Sequence, residues 1–373
     1  MRPFLKEETG VGVYLRNLLH ALSQIDQENE YFLFSASLKD RFPRSKIPPF
    51  SEKRLLDLPL PVKIMNFFWH RLSWPPLDYF FCQRLDLTHS PSPLILPTGG
   101  KKIVTVHDLF FMDFPDLVSK ETRKDFVRKI SDSMRKADGV IAVSRFTRDQ
   151  ILKRWPVREN RVRVIYHALD RRFQTDIPSR SFRMLREKLS LPASFILFVG
   201  GVEPRKNLLN LVEALKIIHS RQGRVPLVIA GRKEASYTRK LEEKIDECRL
   251  GPFVKLIGYL PAEELNGIYQ LATVFVFPSL CEGFGLPLLE AMASGLPIAA
   301  SRSSAIPEVA QDAALYFLPE EPEDIADKIF ILLENKAVRQ RLIERGRKRI
   351  LDFDWKRTAE ETLGFYQAVV DRG

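Results

Sequence analysis

From Tyr14 to Ile25 the apolar positions Leu15, Leu18, Leu19 and Leu22 share one helical face. This run directly follows Thr9-Gly-Val-Gly12, so a glycine turn leading into a helix is expected. Further along, short apolar runs alternate with longer amphipathic ones. Strands are expected at Lys102–Val106, Gly139–Val143, Val162–Tyr166, Ser194–Val199, Pro226–Ala230, Val254–Ile257, Thr273–Phe277 and Pro297–Ala300. Helices are expected at Ser119–Lys136, Leu208–His219, Tyr237–Cys248, Glu264–Leu271, Pro287–Ala293 and Ala359–Val370. Alternating strands and helices build parallel sheets covered on both faces, which is the α/β class. At 373 residues the chain is long enough for two such domains, both Rossmann-like. The charge- and turn-rich stretch His167–Leu191 marks the boundary, giving domains 1–167 and 168–354.

Composition narrows the setting. The hydrophobic share is 45%, and no apolar run approaches the roughly 18–20 residues that span a bilayer. Met1–Gly10 lacks the apolar stretch of a signal peptide, so the expected location is cytoplasmic. Cys82, Cys248 and Cys281 are scattered and lack metal-ligand spacing, as suits reduced thiols. The net charge is +11, and residues 1–180 hold 31 Lys and Arg against 21 Asp and Glu, so nearly all the surplus lies in the first half. A basic half attracts nucleic acid, an anionic membrane or a phosphate-bearing substrate. No nucleic-acid-binding motif accompanies it, so nucleic acid is not expected as a partner. Phe67-Phe-Trp-His-Arg-Leu-Ser-Trp74 and Tyr79-Phe-Phe81 lie beside Lys63, Arg71 and Arg84. That mixture suits peripheral attachment to an anionic membrane, and it equally suits rings that fill a core.

The segment Glu282-Gly-Phe-Gly-Leu-Pro-Leu-Leu-Glu290 carries the clearest chemistry. It joins a strand-like run to a helix-like one. Gly283–Leu286 read as a loop, and Pro287 suits a first helical turn, where its missing N–H goes unused. Outward-pointing N–H groups and the positive end of the helix dipole make such a terminus an anion site. Glu282 in the loop and Glu290 in the first helical turn are placed to accept hydrogen bonds from sugar hydroxyls. A surface loop before an acidic helix is the plainer alternative.

The segment resembles the E-x7-E signature of retaining glycosyltransferases of family 4, which have the GT-B architecture. Thr9–Tyr14, Val104–Asp108, Val140–Ser144, Phe198–Asn207, Gly283–Gly285 and Pro307–Val309 extend the resemblance over nearly the whole chain, in family order. It implies two Rossmann-like domains facing a central cleft, with the terminal helix 355–373 returning to complete the first domain. One departure stands out. Family members begin with an apolar strand feeding the glycine turn, and here only Met1–Thr9 precedes Gly10, so the first strand of the N-terminal domain is expected to be missing and the start truncated or mis-assigned. The loss of a central strand leaves buried backbone groups to be satisfied by other means.

The resemblance also assigns roles. Glu290 would hold the ribose hydroxyls of a nucleoside-diphosphate sugar and Glu282 a hydroxyl of its sugar. Phe284, Gly285 and Leu286 would offer backbone N–H groups. Arg205 and Lys206 follow a strand and open a helix at a sheet's carboxyl edge, so they are expected to meet the leaving diphosphate, though a solvated helix end is the plainer reading. Gly201 stands where many relatives carry a further Arg. Gly10 and Gly12 would let backbone approach the phosphate, and His107, at the end of an apolar strand, would orient the donor sugar. Asp352-Phe-Asp354 precedes the terminal helix rather than closing a central strand, so neither a catalytic metal nor another cofactor is expected. Glu308 reads as a helix-opening carboxylate. The function implied is metal-independent, retaining transfer of a hexose, mannose from GDP-mannose, to a surface-glycan or lipid-linked acceptor. UDP-sugar donors, and an inactive sugar-nucleotide-binding subunit, stay open.

Overall fold

The computed structural model describes residues 9–37, 55–115, 120–175 and 177–372. The chain divides into two compact units, the first running to Ala168 and resuming at Asp354, the second comprising Leu169–Phe353. Residues 1–8, on which the expectation of a missing first strand rests, lie outside the described residues, as does Ser119.

In the first unit, strands β1 (Leu33–Ala36) and β2 (Leu55–Leu58) form a parallel pair. Strands β3 (Leu87–Ser90), β4 (Lys101–Val106), β5 (Gly139–Ala142) and β6 (Val162–Val164) form a four-stranded parallel sheet in that order. Side chains alternate across β4 and β5, and both faces are buried. Val104, Val106, Val140 and Ala142 pack with Ile130, Met134 and Ile151, while Ile103 and Ile141 pack on the other side with Ile165, Phe365 and Val369. Phe365 and Val369 belong to the terminal helix, Trp355–Val370. Gly139 permits that contact, because a Cβ there would sit 2.9 Å from both the Phe365 ring and Val369. Among the described residues no strand joins β1 to β3. A cavity of about 530 Å³ lies beside both, lined by Leu18, Leu22, Phe34, Leu87 and His89 among others.

The first helix covers Gly10–Ile25, four residues earlier than the apolar spacing alone places it. Thr9 explains the difference: its backbone is extended and its Oγ1 accepts from the Gly12 N–H at 3.3 Å, capping the helix before the apolar run begins. The aromatic stretch divides by face. On the helix Val62–Arg71, Met65 and Trp69 join a core with Phe34, Leu77 and Phe81, whereas Ile64 and Phe67, with Leu72, Trp74 and Tyr79 beyond the helix, are each more than half exposed. No described helix is long and apolar enough to cross a membrane.

The second unit holds β7 (Ile196–Val199), β8 (Leu227–Ala230), β9 (Val254–Gly258), β10 (Val274–Phe277), β11 (Ile298–Ser301) and β12 (Ala314–Phe317). All are parallel, in the spatial order β9-β8-β7-β10-β11-β12. This is the doubly wound order, with its switch point between β7 and β10. The central strands are continuous apolar runs because helices bury both faces. Ligands in such sheets bind outside the carboxyl ends of the strands at the switch point, which directs attention to the loops after β7 and β10.

Replacing Phe365 with Ala should lower the stability of the first unit by about 3–5 kcal/mol, the usual result of emptying an aromatic core position. Trp69, Trp74, Trp155 and Trp355 all lie in that unit, so tryptophan fluorescence during urea unfolding reads it selectively. An unchanged midpoint would mean that the terminal helix is not part of this core.

Candidate functional site

The loop after β7 ends in a 3-10 turn, Pro204–Lys206, and the loop after β10 runs from Pro278 to Gly285. Backbone bonds fasten the two together. The Leu280 N–H donates to the Arg205 carbonyl at 2.8 Å. Asn207, in the left-handed region at φ 58°, donates from Nδ2 to the carbonyls of Pro278 at 3.2 Å and Pro319 at 2.6 Å. On the far side the Glu282 N–H donates to Ser304 Oγ at 2.8 Å, and the Ala305 N–H to the Glu282 carbonyl at 3.3 Å. The glycine-rich loop is thus fixed from both flanks.

Glu282, Arg205 and Lys206, three of the residues singled out in the sequence, meet here. The Lys206 ammonium bonds Glu282 Oε1, and Arg205 Nη1 lies 2.9 Å from Oε2. Arg205 Nε also contacts Glu203 Oε1 at 2.7 Å, and Lys206 Nζ sits 5.3 Å from the centre of the Phe277 ring. Lys206 is 5% exposed and Glu282 7%. Burial works against the charged carboxylate, but the two adjacent cations outweigh it and hold Glu282 down at about 2. The sequence reading directs Arg205 and Lys206 at a diphosphate and Glu282 at a sugar hydroxyl. The structure first pairs them with one another, because a buried charge without a partner is strongly unfavourable.

Gly285 caps the following helix, Leu286–Ala293, at φ 100°, a conformation that favours glycine, and a Cβ there would press against Leu288 at 3.1 Å. Leu286 and Pro287 open the helix, so Glu290 is its fifth residue and lies in the second turn, not the first as expected. The Tyr269 hydroxyl donates to Glu290 Oε2 at 2.8 Å. Burial raises the Glu290 carboxyl to about 7, with the Tyr269 hydrogen bond opposing, Asp170 adding to the rise and Arg172 opposing it. The Phe284 ring is buried edge-on against Phe353, with centroids 5.7 Å apart, leaving only its backbone for any ligand contact.

The other expected site residues, Gly10, Gly12 and His107, belong to the first unit. Gly10 and Gly12 form the first turn of a helix, and the Gly12 N–H is already taken by Thr9. His107 follows β4. Its Nε2 lies 3.2 Å from the Pro91 carbonyl, which can only accept, so Nε2 carries the proton. Its Nδ1 lies 3.2 Å from His167 Nε2, and the Tyr14 ring meets its edge at 5.1 Å. Burial lowers His107 to about 4, so it is neutral near pH 7. Both ring nitrogens are therefore engaged within the unit. Asp352 pairs with Arg349 at 2.6 Å and Asp354 stands at the N-cap position of the terminal helix without a side-chain capping bond. Among the described residues no cluster of three or more His, Cys, Asp or Glu is placed to hold a metal. Glu308 stands in the first turn of the short helix Ile306–Ala310.

Sequence reasoning missed Tyr269, Asn207, Ser304 and His167. Tyr269 occupies an apolar face of the helix Ala262–Leu271 and reads as core, since its hydroxyl partner lies 21 residues away.

A model of the family described as Glycosyl transferases group 1 matches residues 183–349, and one described as Glycosyltransferase Family 4 matches residues 9–173. O-antigen chain mannosyltransferase B of Escherichia coli is 27% identical over 372 residues, 96% of either chain. O-antigen chain mannosyltransferase RfbU of Salmonella typhimurium is 27% identical over 256 residues, 67% of either chain. Among solved structures, sucrose-phosphate synthase from Thermosynechococcus elongatus matches with a TM-score of 0.76 at 21% identity, covering 98% of this chain and 95% of its own. Anabaena HepE in complex with UDP and glucose matches with a TM-score of 0.74 at 16% identity, covering 98% of both. At these identities the solved structures establish the fold.

Replacing Glu282 with Ala should destabilise the second unit by about 3–5 kcal/mol, because Lys206 is left buried without its carboxylate. The second unit has no tryptophan, so urea unfolding followed by circular dichroism, with fluorescence marking the first unit, isolates the effect. If the second unit retained its stability, the ion cluster would be dispensable to the fold.

Proposed function

Because the chain belongs to the glycosyltransferases of group 1, family 4, we propose that it is a retaining, metal-independent hexosyltransferase that moves mannose from GDP-mannose onto a growing surface glycan or its lipid-linked precursor. The observation that carries the mechanism is the pair of fixed cations, Arg205 and Lys206, at the switch point. The leaving diphosphate gains charge in the transition state, and cations already held in place stabilise it without reorganising. Arriving phosphate oxygens compete with Glu203 for Arg205, since Glu203 is 36% exposed in its side chain against 9% for Glu282. Backbone N–H groups of Phe284, Gly285 and Leu286 meet the donor at the helix start. Glu290 accepts from the ribose hydroxyls, and Glu282 from a sugar hydroxyl.

In the transfer, the bond from the sugar's anomeric carbon to the diphosphate oxygen breaks, and a bond from that carbon to the acceptor oxygen forms on the same face. The acceptor's proton passes to the departing phosphate oxygen. No protein base is required. The mannose donor follows the names of the relatives, while HepE was solved with UDP and glucose, which favours a UDP-sugar as the second reading.

The exposed Ile64, Phe67, Leu72, Trp74 and Tyr79, near exposed Arg71 and Arg84, support peripheral attachment of the first unit to an anionic membrane. On this reading the enzyme works at the cytoplasmic face, where a lipid-linked acceptor would be met.

Nucleoside-diphosphate release should be measured with GDP-mannose, UDP-glucose, UDP-galactose and UDP-N-acetylglucosamine in turn, with and without excess EDTA. GDP-mannose should be consumed fastest and EDTA should change nothing. Faster use of a UDP-sugar would establish the second reading, loss of activity in EDTA would overturn the metal-free mechanism, and binding without turnover would mark an inactive subunit. Glu290→Ala should weaken nucleoside-diphosphate binding by about 1.5–3 kcal/mol, read by calorimetry. Separately, sedimentation with anionic vesicles should exceed that with neutral ones and fall as salt rises; salt-independent or absent binding would remove the membrane role.

A further inference from the structure

Glu290 presents its two oxygens unequally. Oε2 accepts from the Tyr269 hydroxyl at 2.8 Å, while Oε1 takes no hydrogen bond from any described residue. Tyr269 is fully buried, and its ring is wedged among Phe173 at 5.9 Å and Phe275 at 5.5 Å between centroids, so the hydroxyl has a fixed position. Glu290 itself is only partly buried. A carboxylate anchored at one oxygen and open at the other is oriented toward a ligand's hydroxyl donors. The charged and titratable groups that face it are Tyr269, from the helix Ala262–Leu271, and Asp170 and Arg172, from the turn at the start of the unit.

We propose that Tyr269 is a positioning residue that fixes Glu290 so that Oε1 receives the ribose hydroxyls of the donor. This rests on the nucleotide-sugar reading of the same site. Tyr269 never touches the donor; it acts through the carboxylate it holds. It also favours the charged, accepting form of Glu290, since a phenol whose own ionisation is strongly suppressed by burial remains a donor throughout the working range.

Burial already raises Glu290 to about 7, so the wild-type affinity for a nucleoside diphosphate should increase with pH and level off above about 7. Removing the Tyr269 hydroxyl removes a group that lowers this value, so the midpoint should move upward.

The test is calorimetric titration of GDP and of UDP into the full chain and its variants from about pH 6 to about pH 8.5, a range that brackets the Glu290 transition. Tyr269→Phe deletes one oxygen and keeps the ring packing. It should bind the preferred nucleotide about five- to tenfold more weakly at pH 7 and shift the midpoint upward by about half a unit or more. In a Glu290→Gln background the same change should add less than about twofold, because the two residues act as one unit. An unmoved midpoint, or additive losses in the double variant, would overturn the positioning role. If Glu290→Gln alone left both nucleotides bound as in the wild type, the nucleotide-site reading itself would fall, so the two failures are distinguishable.

Discussion

One buried carboxylate shared by two cations governs the architecture of the second unit's site. Glu282 stands in the loop after β10, and Arg205 and Lys206 in the turn after β7, two strands that are neighbours in space although their paired positions lie 78 residues apart in sequence. Removing Glu282 would leave the Lys206 ammonium in a poorly solvating interior without its carboxylate. The Asn207 bonds to Pro278 and Pro319 and the Leu280 bond to Arg205 hold the same junction through the backbone. The cations are therefore in place before any ligand arrives, which is what stabilisation of a leaving diphosphate requires.

The two carboxylates of the glycine-rich segment, eight positions apart, are treated in opposite ways. Glu282 lies against Arg205 and Lys206 and is held ionised, at about 2. Glu290 is desolvated with a phenol for a neighbour and rises to about 7. Environments that push paired groups apart in this way divide labour between them. Glu282 stays charged beside its two cations, whereas the charge on Glu290 can respond to pH near neutrality.

Much of the fold was legible where strands are short continuous apolar runs, as in β5, β7 and β10, because burial on both faces demands it. Strands β3 (Leu-Thr-His-Ser) and β12 (Ala-Leu-Tyr-Phe) went unrecognised, since β3 is mostly polar and β12 mixes small, apolar and aromatic residues without alternation. The β1–β2 pair escapes for a similar reason: Ser35 and Asp57 interrupt their apolar runs, and their leading apolar positions are only half-buried. The first helix began earlier than its apolar stripe because a threonine cap set its origin. At the site, spacing identified Glu282, Arg205, Lys206 and Glu290, but not that the first three satisfy one another. That pairing depends on which strands become neighbours, and strand order is not a local property of the sequence. His107 illustrates the same point: its place at a strand end was readable, while its bonds to Pro91 and His167 were not.

The cations at the switch point are proposed as the seat of the diphosphate. The most direct measurement is side-chain NMR of Arg205 and Lys206, assigned by substitution, during titration with GDP and UDP. Saturable movement of both resonances, at the same nucleotide concentration that saturates binding, is the predicted result. Nucleotide that binds while both resonances stay fixed would contradict it.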